Sequence, residues 1–265
     1  MSARLLLCIL ILARSVSAQL LTDDALRKIA FDEKPGASIS LNLPFRDEEG
    51  HRVRLGQYFD GKPVILVLGY YECPMLCSLV ANGMVSALQD IKPQMGRDYV
   101  VVNVSIDPRE GSALAAAKKK SYVTRFGQSG AANGWHFLTG DEPAIRQLAS
   151  EVGFQYIYDS SSRQFAHPSG LVILSPNGEI SHYLSGVAYS PADVTTALQD
   201  ASEAKVGSPV EQIFLLCFRY SPVTGKYSAI ILTAVRVISL MILAGLVVLI
   251  AGAWRRGRLP RLEKG

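Results

Sequence analysis

Two cysteines separated by three residues, Cys73 and Cys77, follow directly on an apolar run that begins at Val64. This run, and the helical spacing of the apolar residues after it, predict a buried strand that delivers two thiols to the start of a helix. The unpaired backbone N–H groups and the positive dipole end at a helix N-terminus favour thiolate over thiol. Residues four apart in a helix have Cβ atoms about 5–6 Å apart, which suits two sulfurs holding one soft metal ion and permits a disulfide after modest adjustment.

His167 is the candidate for the third ligand that two thiolates need. It lies just before a predicted hairpin strand, in a loop that approaches the thiol helix in this topology, and the following Pro168 holds its backbone extended. The other histidines each have a structural explanation, because His51 lies at a turn, His136 in a short strand and His182 on an alternating strand. Sequence position alone leaves the choice among them open.

The elements around these residues follow the order of a thioredoxin-like fold. We predict hairpins at 39–55 and 171–184, strands at 64–68, 99–106, 135–138 and 154–158, and helices after Cys77 and at 112–126, 143–152 and 190–204. The helix between the first two buried strands makes them parallel, and the second hairpin closes the sheet with antiparallel strands. The predicted fold class is therefore α/β, with a central mixed sheet flanked by helices.

The two ends of the chain predict export and membrane attachment. Residues 1–18 have the charged, apolar and small-residue order of a cleavable signal peptide. The apolar stretch 228–254 is long enough to form a transmembrane helix, and the basic tail 255–265 after it is expected in the cytoplasm. The thioredoxin-like domain, residues 19–206, and a juxtamembrane segment, 207–227, then lie on the periplasmic side of a single-pass inner-membrane protein. A formal net charge of +4 gives no indication of nucleic-acid binding.

Several motifs in the chain are similar to those of one known family. They are 61–63 with the strand into 71–77, the segments 105–109 and 135–140, and the histidine loop with 174–178. On these motifs the chain resembles the Sco/SenC copper-binding proteins, which take part in assembling cytochrome c oxidase. The resemblance implies that Cys73, Cys77 and His167 are copper ligands and that Asp107 supports the docking of a partner. Two thiolates and one imidazole select Cu(I) and tolerate Cu(II).

The chain departs from the family pattern at three places. Ser78 stands where many members have proline, Met75 replaces a commonly polar residue, and the predicted anchor is C-terminal rather than N-terminal. Cys217, in the juxtamembrane segment, is unmatched by the family core. It is either a buried thiol in an apolar helix or a passing ligand or redox partner at the membrane surface.

The resemblance implies a membrane-anchored metallochaperone rather than an enzyme. Its expected partners are the copper-receiving oxidase subunit, a copper donor or thioredoxin-like reductant, and the membrane lipid around the C-terminal helix. The alternative is a thiol–disulfide oxidoreductase that reduces cysteines of a respiratory-chain copper subunit, with Cys73 attacking and Cys77 resolving. A peroxidase-like thiol enzyme fits less well, because neither a threonine nor an arginine is near Cys73 in the sequence. A redox or copper sensor is a further alternative.

Overall fold

The computed structural model describes residues 29–73, 76–160 and 162–206, together with positions 239, 241, 242 and 245. The chain divides into two compact units, Met1–Ser208 and Pro209–Gly265. The predicted signal peptide, the juxtamembrane segment with Cys217, and the basic tail lie outside the described residues, as does most of the predicted transmembrane helix. No helix among the described residues combines the length and apolar character needed to cross a membrane.

The described part of the first unit contains nine strands, five α-helices and one short 3₁₀ helix, Leu55–Tyr58. The strands are β1 (Pro44–Arg46), β2 (Arg52–Arg54), β3 (Val64–Gly69), β4 (Val100–Ser105), β5 (Trp135–Leu138), β6 (Ile157–Asp159), β7 (Gln164–Ala166), β8 (Gly170–Leu174) and β9 (Ile180–Ser185). The helices are α1 (Leu76–Gln89), α2 (Ser112–Phe126), α3 (Ala131–Gly134), α4 (Glu142–Glu151) and α5 (Pro191–Ser202).

A five-stranded mixed sheet in the order β5-β4-β3-β8-β9 forms the centre of this unit. Strands β3, β4 and β5 are parallel, with Val64 opposite Val100 and Gly69 opposite Ser105. Strand β8 pairs antiparallel with β3, and β9 pairs antiparallel with β8. The predicted parallel pair and the closing antiparallel hairpin are both confirmed, and with them the α/β class and the central mixed sheet.

Both faces of the sheet are buried, which is why β3 is a continuous apolar run rather than an alternating one. Leu66 and Leu68 point into a core that includes residues of α4, whereas Ile65 and Val67 point into a second core with residues of α1, α2 and α5. The helices therefore cover both sides of the sheet. The ends of the strands remain available for a site.

Two short hairpins lie outside the central sheet. Strands β1 and β2 pair around the turn after Arg46, so the predicted hairpin at 39–55 exists but its strands are shorter. Strand β6 covers only the end of the predicted strand 154–158, and it pairs with β7, which we did not predict. A three-residue strand is too short to show the period-2 pattern, so β7 is not visible in the sequence. This β6–β7 hairpin leads directly into the loop that contains His167.

Candidate metal centre

The cysteine loop, residues 70–73, connects the end of β3 to helix α1. The backbone N–H of Cys73 donates to the carbonyl of Tyr70 at 3.3 Å, which closes the turn. Cys77 lies in the first turn of α1, and its N–H donates to Cys73 Sγ at 3.4 Å. The sulfur of Cys73 thus accepts a bond from one of the N–H groups that a helix start leaves unpaired, as the sequence predicted for a thiol at this junction.

Glu110 fixes the cysteine loop from the neighbouring strand connection. Its carboxylate accepts the backbone N–H of Tyr71 and the backbone N–H of Glu72, each at 2.7 Å, and the hydroxyl of Ser105 at 2.6 Å. The residue is only 8% exposed, and burial is the main cause that raises its pKa. Three donors aimed at one buried carboxyl group hold the loop in one position against the end of β4.

His167 reaches the cysteines from the opposite side of β3. Because β8 runs antiparallel to β3, the residues before Gly170 arrive at the same edge of the sheet as the cysteine loop. The imidazole Nε2 lies 3.3 Å from Cys77 Sγ, and Nδ1 lies 2.8 Å from the carbonyl of Pro168. A carbonyl only accepts, so Nδ1 carries the proton and donates it. With the proton on Nδ1, Nε2 is the ring nitrogen that can offer a lone pair to a metal ion beside the sulfur.

Aromatic rings hold the histidine in place. The ring of Phe154 stacks on the imidazole at 5.7 Å between centroids, and the ring of Tyr70 meets it edge-on at 5.9 Å. His167 itself is 7% exposed. Burial and then the neighbouring Cys73 raise the pKa of the Tyr70 hydroxyl, so this one residue lies close to two of the three predicted ligands.

The predicted ligand atoms converge. The sulfurs of Cys73 and Cys77 and a ring nitrogen of His167 all lie within 4.8 Å of one another, and this is the group of three able to hold a metal ion within the described residues. Two sulfurs and one imidazole nitrogen are donors for a soft or borderline metal ion. Three protein ligands leave room for a further ligand from outside.

The protonation of the metal-free pair differs from the sequence-based expectation. A helix N-terminus favours thiolate, yet the hydrogen bond that the Cys77 S–H donates to Cys73, followed by burial and the charge of Cys73, raises the pKa of the Cys77 thiol. Two thiolates this close repel each other, so the pair keeps a proton when no metal is bound. A bound cation would replace that proton.

The other histidines lie elsewhere. His51 is exposed and lies beside Asp47 at the β1–β2 turn. His136 lies on β5 against Glu48, and His182 lies between Ser181 and Asp200. None of them belongs to the group of converging ligand atoms.

Asp107 lies near the cysteine loop, but its carboxylate does not face solvent. The residue is 6% exposed, and its two oxygens accept Nε and Nη2 of Arg109 at 2.8 and 2.6 Å. Burial acts to raise the pKa of Asp107, but the hydrogen bonds from Arg109 outweigh it and lower the pKa. The carboxylate of Asp107 is therefore bound by a residue of the same chain, Arg109.

Tyr70 and Glu110 are site residues that the sequence analysis missed. Both occupy positions where a signal was available, because Tyr70 directly follows β3 and Glu110 follows the end of β4. Side chains that leave the carboxyl ends of adjacent parallel strands gather at one edge of an α/β sheet. That rule singled out the cysteines and applies equally to these two residues.

The chain is similar to known proteins in sequence and in fold. The family model described as SCO1/SenC matches residues 32–203. No curated protein matches the chain. A crystal structure of a protein from Aquifex aeolicus VF5 is 23% identical, with a TM-score of 0.57 over 65% of this chain and 96% of that chain.

Two further structures carry the family name. BsSco, a member of the Sco family of cytochrome c oxidase assembly proteins, is 20% identical, with a TM-score of 0.51 over 65% of this chain and 98% of that one. ScoI from Arabidopsis thaliana, crystallised with copper bound, is 21% identical, with a TM-score of 0.49 over 62% of this chain and 99% of that one.

Proposed function

Because the chain belongs to the SCO1/SenC family, we propose that it binds one copper ion and delivers it to the copper centre of cytochrome c oxidase during assembly. One observation carries the proposal: the ligand atoms of Cys73, Cys77 and His167 lie within 4.8 Å of one another. We assign these three residues as the copper ligands.

The donor set fits copper in both of its common oxidation states. Thiolates are soft ligands that select Cu(I), and an imidazole suits Cu(I) and Cu(II) alike. The Nδ1–H bond from His167 to the Pro168 carbonyl keeps Nε2 directed at the sulfurs.

Delivery requires that a partner's ligands reach the copper ion. Cys73 and Cys77 are half-buried, and three of the large apolar side chains exposed within residues 29–206 belong to elements near the ligands. Leu79 follows Cys77 on α1 and is 46% exposed, while Ile157 and Tyr158, in the β6–β7 hairpin, are each 43% exposed. An apolar rim of this kind fits the copper-receiving oxidase subunit, to which copper passes by ligand exchange. We place this exchange on the periplasmic side of the inner membrane, with residues 228–254 as the anchor.

Metal analysis tests the assignment. The full-length chain is purified under reducing conditions, incubated with copper, freed of unbound metal and analysed for copper and zinc. We expect about one copper per chain, since three converging ligands define one site. The variants Cys73→Ser, Cys77→Ser and His167→Ala are expected to retain far less copper.

The matched control is His51→Ala, because His51 is an exposed histidine away from the cysteines. It should bind copper like the parent. Parent-like copper binding by any of the three ligand variants would refute the site, and a parent chain that binds no copper would refute the function.

A thiol–disulfide oxidoreductase is the second candidate. Both thiols are reduced in this structure, and their sulfurs lie within 4.8 Å of each other. The neighbour BsSco is known for a disulfide switch. In this mechanism the Cys73 thiolate attacks one sulfur of a target disulfide and expels the other as a thiolate. Cys77 then attacks Cys73, which releases the reduced target and leaves a Cys73–Cys77 disulfide; an external thiol must reset the pair.

The role of His167 separates the two candidates. Disulfide exchange needs both cysteines but no imidazole, whereas copper delivery needs all three ligands. A His167→Ala variant that restores oxidase assembly in cells would therefore support the oxidoreductase. Loss of assembly with His167→Ala, together with dithiol reactivity that stays at the parent level, would support copper delivery.

A further inference from the structure

The three ligands arrive on two separate segments of the chain. The cysteines lie in the cysteine loop and the first turn of α1, whereas His167 lies 90 positions after Cys77, behind the β6–β7 hairpin. This hairpin pairs with itself and is not a strand of the central sheet. The position of the imidazole relative to the sulfurs therefore depends on what holds the hairpin against the cysteine loop.

Arg109 is fixed on the cysteine side through a chain of buried groups. Its guanidinium holds both oxygens of Asp107, and the backbone N–H of Asp107 donates to Ser105 Oγ at 3.1 Å. The same Ser105 hydroxyl donates at 2.6 Å to the carboxylate of Glu110, which holds the cysteine loop. A two-pronged bond to a buried carboxylate defines the orientation of a guanidinium as well as its position.

The same guanidinium contacts the histidine side. Its Nη1 donates to the hydroxyl of Tyr158 at 3.3 Å, and its central carbon lies 5.1 Å from the centre of that ring. The ring of Phe165 lies 5.9 Å from the guanidinium and 5.5 Å from the ring of Tyr70. Phe165 is only two positions before His167, so the contact with Arg109 is close to the ligand along the chain.

We propose that Arg109 is a positioning residue that fastens the β6–β7 hairpin to the cysteine loop and thereby sets where the His167 imidazole meets the two sulfurs. This inference rests on the proposed copper site. An exposed ion pair on its own contributes little to stability. Arg109 differs because its partner Asp107 is buried and because its flat face packs on two aromatic rings of a different segment, a combination that lysine cannot reproduce.

Copper dissociation tests the role. We expect Arg109→Ala and Arg109→Lys to bind about one copper at saturation but to release it about tenfold faster, the usual scale for a lost residue that orients a ligand. The visible and electron paramagnetic resonance spectra of the Cu(II) form should shift toward those of His167→Ala. If Arg109→Lys releases copper as fast as Arg109→Ala, the two-pronged bond to Asp107 and the packing on the aromatic rings are what matter, and the positive charge alone is not enough.

The matched control is Arg146→Ala. Arg146 is similarly exposed and also bonds a carboxylate, that of Glu142, but it does so within helix α4. Its variant should have the copper release rate and Cu(II) spectra of the parent. If the Arg109 variants also match the parent in rate and spectra, the inference is overturned.

A measurement without metal keeps this test separate from the test of the copper site. Nitrogen NMR of the His167 ring in the copper-free chain should show one Nδ1–H tautomer in the parent and in Arg146→Ala. Both Arg109 variants should show broadened or averaged ring signals, because the hairpin is no longer held. Unchanged ring signals would refute the role of Arg109 even if the parent bound no copper, and changed signals would support it in that case.

Discussion

The sulfur of Cys77 lies against Gly69, the last residue of β3. A Cβ on Gly69 would be 3.0 Å from Cys77 Sγ and 3.7 Å from Cys77 Cβ. Every other residue of β3 carries a large apolar side chain, so the strand ends in a gap where the thiol fits. The start of α1 can approach the sheet this closely only because Gly69 has no side chain.

Gly69→Ala should therefore disturb the metal centre while leaving the fold intact. The added methyl group would push the Cys77 sulfur by a few tenths of an ångström, away from its 3.3 Å approach to His167. We expect copper to bind about tenfold more weakly, measured by competition with a chelator of known affinity. Gly111→Ala is the control, because a Cβ there meets nothing within 4 Å. Equal affinities of the two variants would contradict the packing argument.

Glu110→Gln should lower stability as well as copper affinity. A glutamine can accept with its oxygen, but its amide nitrogen would face a backbone N–H that now finds a carboxylate oxygen at 2.7 Å. We expect a loss of about 1–3 kcal/mol in the free energy of unfolding of the copper-free chain, measured in urea. Glu72→Gln changes an exposed neighbour whose side chain makes no hydrogen bond described in the structure, and it should have almost no effect. A stability of Glu110→Gln equal to that of Glu72→Gln would show that the carboxylate does not hold the loop.

The sequence predicted what depends on local pattern. The run into Cys77 indicated a buried strand and a thiol helix, and the order of elements placed His167 at the same sheet edge. Glu110, close after a predicted strand, could have been found from that order, but Arg109 was beyond its reach, because nothing local shows that a guanidinium spans two distant segments. The lysine run 118–120 is another example. A run of three lysines favours a solvated face, yet Lys119 bonds Glu48 and its side chain is only 20% exposed.

Lys119 should contribute to stability in a way that Lys120 does not. The ammonium of Lys119 pairs with a nearly buried carboxylate on the β1–β2 turn, whereas Lys120 is exposed. We expect Lys119→Met to destabilise the chain by about 1–3 kcal/mol, because it leaves the buried Glu48 without its cation. Lys120→Met should change the free energy of unfolding by less than about 0.5 kcal/mol.

A double-mutant cycle isolates the pair. Combining Lys119→Met with Glu48→Gln should cost less than the sum of the two single changes, because residues in direct contact are coupled. Urea unfolding of the four proteins gives the coupling energy. Additive effects would mean that the two side chains act independently.

Glu48 should also make the stability depend on pH in the acid range. Burial acts to raise its pKa, but hydrogen bonds with His136, with Lys119 and with the backbone N–H of Phe137 prevail and lower the pKa from 4.5 to about 2. A carboxyl group with a lowered pKa in the folded state contributes stability that is fully present above its unfolded pKa. That contribution decreases as pH falls from about 4.5 and is lost below about 2.

Glu48→Gln should therefore cost about 2 kcal/mol at neutral pH and progressively less toward pH 2, measured by urea unfolding across this range. Glu49→Gln, at an adjacent position where the side chain is 74% exposed, should run parallel to the parent at every pH. If the Glu48→Gln and parent curves also ran parallel from neutral pH to pH 2, the hydrogen-bonded carboxylate would not be the source of the acid sensitivity.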